Sequence, residues 1–437
     1  MITPMPLIYA ATCDLAGKVR GKAFPADQLE KRLKRGVGWT PTNVQINCFD
    51  GIAESPFGAL GDLLLIPDPA ANVDVRFSEE LHTHFMLGDI VTLEGEPWDF
   101  CTRSILKSAL DRLKDVAGVR LLAAFEHEFQ LKGEHGIPHQ AYGREGYEQQ
   151  QQLCETLMGA IAAAGLSPDS IMKEYGPQQY EVVISPEEGV RAADAAVIVR
   201  ELTRTAARAC GEEATYSPIL DVNSVGNGVH VHMSFLNDAG EPIGYDEKGH
   251  CGMSALTSSF AAGVLKYLDA ILALTAPAVI SYERLTPHRW SAAYNNLGFR
   301  DREASLRVCP VTAKDPDSIA RQFNIEYRAA DAAASPHLAL AAIVHAGVQG
   351  IEEGLTAPDP TEEDLSLLTE DELSSRGFIR LPQTLESALE RLNDTNIVAG
   401  WFPETFTEVY SAHKASEIDQ LKDMDTESKC LAYQRTY

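Results

Sequence analysis

The sequence predicts an α+β fold in two parts. Short strand-like runs are bounded by long helical periods, several of those strands alternate polar and apolar residues, and the composition turns to Gly, Pro and acids around Gly95–Asp99. We therefore place a boundary near residue 97, giving domains 1–97 and 98–437. A chain of 437 residues, 45% hydrophobic and 23% charged, is long for one ordinary domain and apolar enough to bury a core. The net charge of −26 argues against nucleic-acid and anionic-membrane partners, which need clustered Lys and Arg. It leaves ATP open, because a local cationic patch or a metal suffices.

In the first part, Leu7–Asp14 is strand-like, Gly17–Gly21 a turn, and Ala26–Arg35 an amphipathic helix with a basic face. Val44–Phe49 alternates and ends at Asp50-Gly51, so it reads as a short strand. Asp62–Pro67 is another, cut off by Pro67-Asp68-Pro69. In the second part, helical periods fall at 103–116, 146–164, 189–210, 254–274, 316–332 and 335–349, and strands at 119–131, 179–184, 228–236 and 303–309. Residues 358–376, rich in Asp, Glu, Pro and Ser, read as an exposed excursion; helical segments at 383–392 and 416–422 close the chain.

Phe260–Ile280, the most apolar run, carries Lys266 and Asp269 and reads as a buried helix rather than a membrane span. Met1–Ala11 lacks a basic region, so no secretory signal is expected. The eight cysteines form no CxxC pair, and their wide spacing favours reduced thiols and a cytoplasmic protein.

Chemistry concentrates in a few segments. In Glu126-His127-Glu128 both carboxylates project from one face of a strand. At about 5 Å and an effective dielectric near 20 they repel by roughly 3 kcal/mol. A divalent cation would offset this; an edge strand with one solvated face is the other reading. His230-Val231-His232 likewise shares a face, after a Gly-Asn-Gly turn that permits close backbone approach; the pair suits a metal, or a metal and a phosphate. Glu326-Tyr327-Arg328 alone is an ordinary ion pair, and Glu174 with Glu181 around Gly176-Pro177 is weak alone. Arg284, Arg289, Arg300, Arg302 and Arg307 concentrate positive charge in an acidic chain, which suits carboxylate or phosphate capture or an interdomain ion-pair network. Together the acids, His and Arg imply phosphoryl chemistry bridged by a hard cation such as Mg²⁺ or Mn²⁺, without a P-loop or GxGxxG.

In order, CDLAGKVRGKAFP, CFDG with LLLIPDP, FEHEF, EYGPQQYE, GNGVHVHMS, ERLTP, RDREASLR and IEYR resemble the glutamine synthetase family. The resemblance implies a β-grasp N-terminal domain, a catalytic domain whose antiparallel strands line a funnel, and a homo-oligomer, a dodecamer of two stacked hexameric rings with sites at subunit junctions. It implies ATP and two or three Mg²⁺ or Mn²⁺ ions per site. Glu128, Glu174 and Glu181 would hold one metal, and Glu126, His230 and Glu326 another. His232 and Ser234 would contact ATP. Arg284 and Arg328 would grip glutamate's α-carboxylate and Gly226 its amino group, with Tyr142 also on the substrate. Arg302 and Arg307 would neutralise the transferred phosphoryl, and Asp50 would serve the ammonium site. The implied chemistry is γ-glutamyl phosphate formation followed by amide formation with an amine.

This chain departs from the family pattern on the flap, where Trp290 replaces a Glu that holds ammonium. An indole removes a cation partner and adds an apolar face for alkyl or aryl groups. The expected nucleophile is thus an organic amine, as in the γ-glutamyl amine ligases; ammonia, used through Asp50, is the alternative. Ile52 and Ala53 stand where serines usually follow, Val225 replaces an Asn and Asn324 an Arg, and LSLL at 365–368 has no Tyr for adenylylation. A non-catalytic member of the fold leaves the clustered acids without purpose, and a two-metal hydrolase leaves Arg284 and Arg328 unexplained.

Overall fold

The computed structural model describes residues 4–133 and 140–437. The N-terminal sheet is built from β1 (Leu7–Cys13), β2 (Val19–Pro25), β3 (Val37–Trp39), β4 (Leu63–Arg76) and β5 (His82–Val91), ordered β2-β1-β5-β4-β3, with β1 and β5 parallel. Helix α1 (Leu29–Arg35) lays Leu29 and Leu33 on one face, over Ile8, Ala10, Phe24, Val37 and Leu65. This is a β-grasp arrangement. The opposite face, with Ala11, Val73, Val75, Phe85 and Leu87, joins the core of the rest of the molecule.

The second sheet starts with α2 (Thr102–Ala117) and β6 (Arg120–Leu131), then α3 (Arg144–Gln149), α4 (Gln151–Ala163), β7 (Pro168–Lys173), β8 (Gln179–Ile184), β9 (Glu187–Glu188), α5 (Val190–Ala209) and β10 (Ala214–Thr215). It continues through β11 (Val229–Leu236), α6 (Ala255–Thr275), α7 (Ser281–Arg284), β12 (Leu297–Gly298), β13 (Leu306–Val308), α8 (Pro316–Gln322), β14 (Ile325–Tyr327) and α9 (Pro336–Glu352). Short helices α10 (Glu370–Ser375), α11 (Leu385–Asp394) and α12 (Asn396–Ala399) lead to α13 (Phe406–Leu421) and α14 (Thr426–Thr436). The nine strands run β12-β13-β14-β11-β6-β8-β7, with β9 and β10 also on β6; the pairs along this path are antiparallel except β12 with β13. Helices α2, α5, α6 and α9 pack behind the sheet, and its other face is free to carry polar groups.

Several expectations need correction. Val44–Phe49 is no strand: Pro41 opens a 3-10 turn over Pro41–Gln45, and the Asn47 side chain accepts the N–H groups of Phe49 and Gly51, curling the chain instead of extending it. Strand β2 begins at Val19, inside the expected turn. Strand β4 runs through Pro67-Asp68-Pro69 to Arg76, because a bulge between Pro67 and Asn72 absorbs the missing N–H groups. The helix expected over 316–332 stops at Gln322; residues 325–327 become β14, completing the sheet between β11 and β13. The strand expected over 303–309 shrinks to Leu306–Val308. The excursion at 358–376 is pinned by buried Thr361, Leu365 and Leu373, and α10 starts with a Thr369–Glu372 capping box. Among the described residues one helix, Ala255–Thr275, is long and apolar enough to cross a membrane, and 78% of its apolar window is buried in the fold.

Candidate active site

Register across the second sheet gathers the polar residues. His230 lies opposite Glu126, Glu181 opposite Glu128, His232 opposite Glu326, and Glu326 opposite Arg307. Alternation decides which face they take. Val229, Val231, Met233 and Phe235 of β11 are buried against the helices, which turns His230, His232 and Ser234 the other way. On β6, Phe125, His127 and Phe129 face the core and Glu126 and Glu128 face the site.

Donor atoms from Glu126, His230 and Glu326 lie within 4.8 Å of one another, and so do those of Glu128, Glu181 and His230. His230 Nδ1 is 3.3 Å from Glu126 Oε2 and 3.5 Å from Glu326 Oε1, and His232 Nε2 is 3.1 Å from Glu126 Oε1. Glu128 Oε2 accepts the Gly228 N–H at 2.6 Å and Gln179 Nε2 at 3.2 Å. Gln179 also donates to Gly226 O and Asn227 Oδ1, which locks the Gly-Asn-Gly turn against the strand. A Cβ on Gly226 would sit 2.4 Å from Pro218 O and 2.6 Å from Arg284 Cγ, so only glycine lets this backbone approach Arg284. Buried Glu174 is one step out: its Oε2 accepts the Tyr175 N–H, and its charge acts on Glu128, Glu181 and Tyr142.

The electrostatics fit a cation. Burial, then the charges of Glu126, Glu128, Glu174 and Glu326, push the Glu181 carboxyl up to about 9. Burial likewise raises Glu128 to about 7. Burial also opposes ionisation of Glu126, but bonds to His230 and His232 outweigh it and hold this carboxyl far below its usual range. The same contest leaves Glu326 at about 2, through His230 and Arg328. Acids that would keep a proton at neutral pH, crowded with imidazoles at bonding distances, are a donor set suited to divalent metal. Glu126, His230 and Glu326, and Glu128 and Glu181 with His230, are the residues that would hold it; Glu174, expected beside Glu128 and Glu181, lies outside both groups.

Guanidinium groups flank these donors. Glu326 accepts Arg307 Nη1 at 3.0 Å and also Arg328 Nη1. Arg284 is 3% exposed and donates to Ala330 O and Ser291 Oγ. The Nε atoms of Arg284, Arg307 and Arg328 are buried without a hydrogen-bond partner among the described residues, donor capacity that an anionic ligand can use. Arg302 is exposed, and Tyr142, 58% exposed, bonds to Glu174 and feels the charge of Arg302, so both stand at the rim. Ser234 follows His232 on the same face of β11.

Asp50 is not gathered with these groups: its side chain is 82% exposed and pairs with Arg20 at 3.2 Å. Trp290, 49% exposed, stands edge-on against Tyr175, with ring centroids 4.9 Å apart at 87°. Its carbonyl accepts Arg328 Nη2 at 3.3 Å, one guanidinium away from Glu326. Sequence reasoning missed three neighbours. Cys309 Sγ lies 3.6 Å from both His232 Nδ1 and Glu326 Oε2. Tyr175 faces the indole, and Glu303 bonds the flap backbone. Cys309 and Tyr175 belong to no acid or imidazole pair at spacing two; for Glu303, its spacing of two from Asp301 within the arginine cluster was the available signal.

Residues 1–98 match the glutamine synthetase N-terminal domain and residues 99–433 the glutamine synthetase catalytic domain. The chain is 29% identical to the gamma-glutamylpolyamine synthetase GlnA3 of Streptomyces coelicolor, over 98% of this chain and 93% of that protein. It is also 29% identical to the glutamine synthetase of Pyrococcus woesei, over 88% and 84%. A solved structure described as a novel glutamine synthase homolog superposes with a TM-score of 0.91 at 38% identity, covering all of both chains. A GmaS/ADP complex gives 0.83 at 23%, over 98% and 96%, a likeness of fold. With both domain matches spanning nearly the whole sequence, this chain belongs to the glutamine synthetase family of ligases.

Proposed function

We propose that this protein is an ATP-dependent glutamate–amine ligase whose acceptor is an organic amine. In the first step an oxygen of glutamate's side-chain carboxylate attacks the γ-phosphorus of ATP; the bond to ADP breaks and γ-glutamyl phosphate forms. In the second the amine nitrogen attacks the acyl carbon, phosphate departs, and the ammonium proton is lost. A carboxylate is a poor electrophile, and phosphorylation supplies its leaving group. Arg284 and Arg328 bind the α-carboxylate, with Gly226 and Tyr142 beside the substrate. Arg302 and Arg307 face the transferred phosphoryl, and His232 and Ser234 the nucleotide. Bound Mg²⁺ or Mn²⁺ would neutralise charge on the phosphate oxygens.

The observation that carries the amine reading is Trp290. Its carbonyl is held by the guanidinium that binds Glu326, and its ring meets Tyr175 at the site's mouth. An aromatic wall favours a carbon-bearing nucleophile over ammonium. A cavity of about 520 Å³ beside the flap, lined by Asp301, Glu303, Glu362, Glu363 and Asp364, gives a cationic amine an anionic approach. The relation to a polyamine synthetase agrees with this. The protein would act as a homo-oligomer, a dodecamer of two stacked hexameric rings; Asp50, distant from the acids in its own chain, would then serve a neighbouring copy. Eight free thiols suit a cytoplasmic setting.

ADP release with glutamate, ATP, Mg²⁺ or Mn²⁺ and a panel of amines tests the reading. Turnover should depend on glutamate and be faster with alkyl, aryl or polyamines than with ammonia. Turnover with ammonia alone would restore the ordinary glutamine synthetase reading.

A further inference from the structure

The turn that carries Trp290 is held in an unusual way. His288 has φ of 63° and Trp290 of 52°, both in the left-handed region that non-glycine residues avoid. Such conformations persist only where surroundings fix them. Here one carboxylate does so: Glu303 Oε2 accepts the His288 N–H at 3.0 Å and Oε1 the Trp290 N–H at 3.1 Å. Glu303 is itself anchored, because its N–H donates to Asp301 Oδ1 at 2.8 Å and the next residue, Ala304, is fully buried on the way into β13. Between the two clamped N–H groups, Arg289 donates to Ser224 O at 2.7 Å and to Val222 O. The Trp290 carbonyl is taken by Arg328. The Trp290 peptide is therefore gripped on its N–H side by Glu303 and on its C=O side by a guanidinium of the site.

We propose that Glu303 is a positioning residue that sets the orientation of the Trp290 indole, and through it the enzyme's affinity for the acceptor amine. This rests on the reading of Trp290 as the wall of the amine subsite. Each charge-assisted N–H···O⁻ bond is among the stronger hydrogen bonds, and the two act on one short turn. Without them the left-handed residues can relax to ordinary backbone, and the indole leaves its edge-on contact with Tyr175. Glu303 borders the amine's approach, but both of its carboxylate oxygens are taken up by the flap N–H groups, so its influence on the amine should run through the indole and be lost once the indole is gone.

A double-mutant cycle tests this. Glu303→Ala should raise KM for the amine roughly tenfold, as expected for loss of hydrogen bonds to a charged group. KM for glutamate and for ATP should stay within about twofold, a split that general destabilisation does not produce. Glu303→Gln should fall between, because its single carbonyl oxygen can still accept one of the two N–H groups. In a Trp290→Ala background, Glu303→Ala should change the amine KM no further. Indole fluorescence gives a readout independent of turnover: the Trp290 contribution, defined by subtracting a Trp290→Phe variant, should shift to the red in Glu303→Ala. Additive effects in the cycle would mean that Glu303 touches the amine itself, and they would overturn the proposal while leaving the amine reading intact, as would an unchanged Trp290 emission. If Trp290→Ala alone leaves the preference among amines untouched, the amine reading falls and this proposal with it.

Discussion

At the scale of the residue, most of the site was readable because its chemistry repeats at spacing two. Glu126 with Glu128 and His230 with His232 announce a shared face before any fold is known, and strand pairing brings them together as that spacing requires. Trp290 was readable as a departure from a family pattern, although the pattern could not show what grips it. Cys309 was not readable: one thiol just past the end of a strand carries no signal until β13 and β14 set it beside His232 and Glu326. The selectivity claim belongs to this scale. Trp290→Glu restores a cation partner at the flap and removes the apolar face. The ratio of ADP release with ammonia to that with alkylamines should rise by about tenfold or more, the worth of one charge-assisted contact. An unmoved ratio would show that selectivity lies elsewhere.

At the scale of the element, β6, β8 and β11 were found, whereas β14 inside the sheet and the outer strands β7 and β12 were not. The run from Pro316 to Ala332 holds four Ala and two Arg, and its local preference is helical. The chain abandons that helix after Gln322 because Ile325–Tyr327 completes the ladder between β11 and β13 and delivers Glu326 to the site. Tertiary pairing outweighs local propensity there. Pro67 and Pro69 misled for a related reason, since a bulge hides the missing donors. The helical layer makes a packing prediction. Where α6 crosses α9, a Cβ on Gly263 would lie 2.3 Å from Ala346 O and 2.6 Å from Gly350 N, both backbone atoms of the facing helix. Gly263→Ala must push the helices apart, costing about 1–3 kcal/mol as overpacking does, measurable as a lowered urea midpoint. No change in midpoint would show that the two helices can part there at no cost.

At the scale of the whole molecule, the N-terminal sheet is joined to helices α2 and α5 of the second part through a buried cation that sequence patterns did not reveal. Arg103, 1% exposed, reaches Asp68 and Asp89 on the N-terminal sheet and Asp194 on α5. Burial alone would raise the Asp194 carboxyl, but His337 and Arg103 hold it well below the usual range. Arg103→Met strands these carboxylates and should cost about 3–5 kcal/mol by urea unfolding. Partners so distant in sequence leave no spacing to read.

Acid stability also belongs to the whole molecule. Burial lowers His345 and His413 to about 3 each, so both are neutral in the fold and take up protons on unfolding. Their contribution is complete above the unfolded pKa near 6.5 and is lost as pH falls from there toward 3. Below pH 6 the slope from the pair should be about 3 kcal/mol per pH unit. His413 donates from Nε2 to Ile46 O at 3.2 Å, tying α13 to the N-terminal domain. Buried His127 is lowered to about 3 as well, so His413→Gln should reduce the measured slope by one histidine's share, about 1.4 kcal/mol per pH unit, in urea titrations between pH 6 and 5; an unchanged slope would assign the acid sensitivity to other groups.

The most direct measurement of the central claim is product identification under competition. The enzyme is given glutamate, ATP and Mn²⁺ with ammonium and an organic amine at equal concentration, and the products are weighed by mass spectrometry. N-substituted γ-glutamylamide should exceed glutamine, with one ADP formed per amide. Glutamine as the dominant product across the amine panel would contradict it.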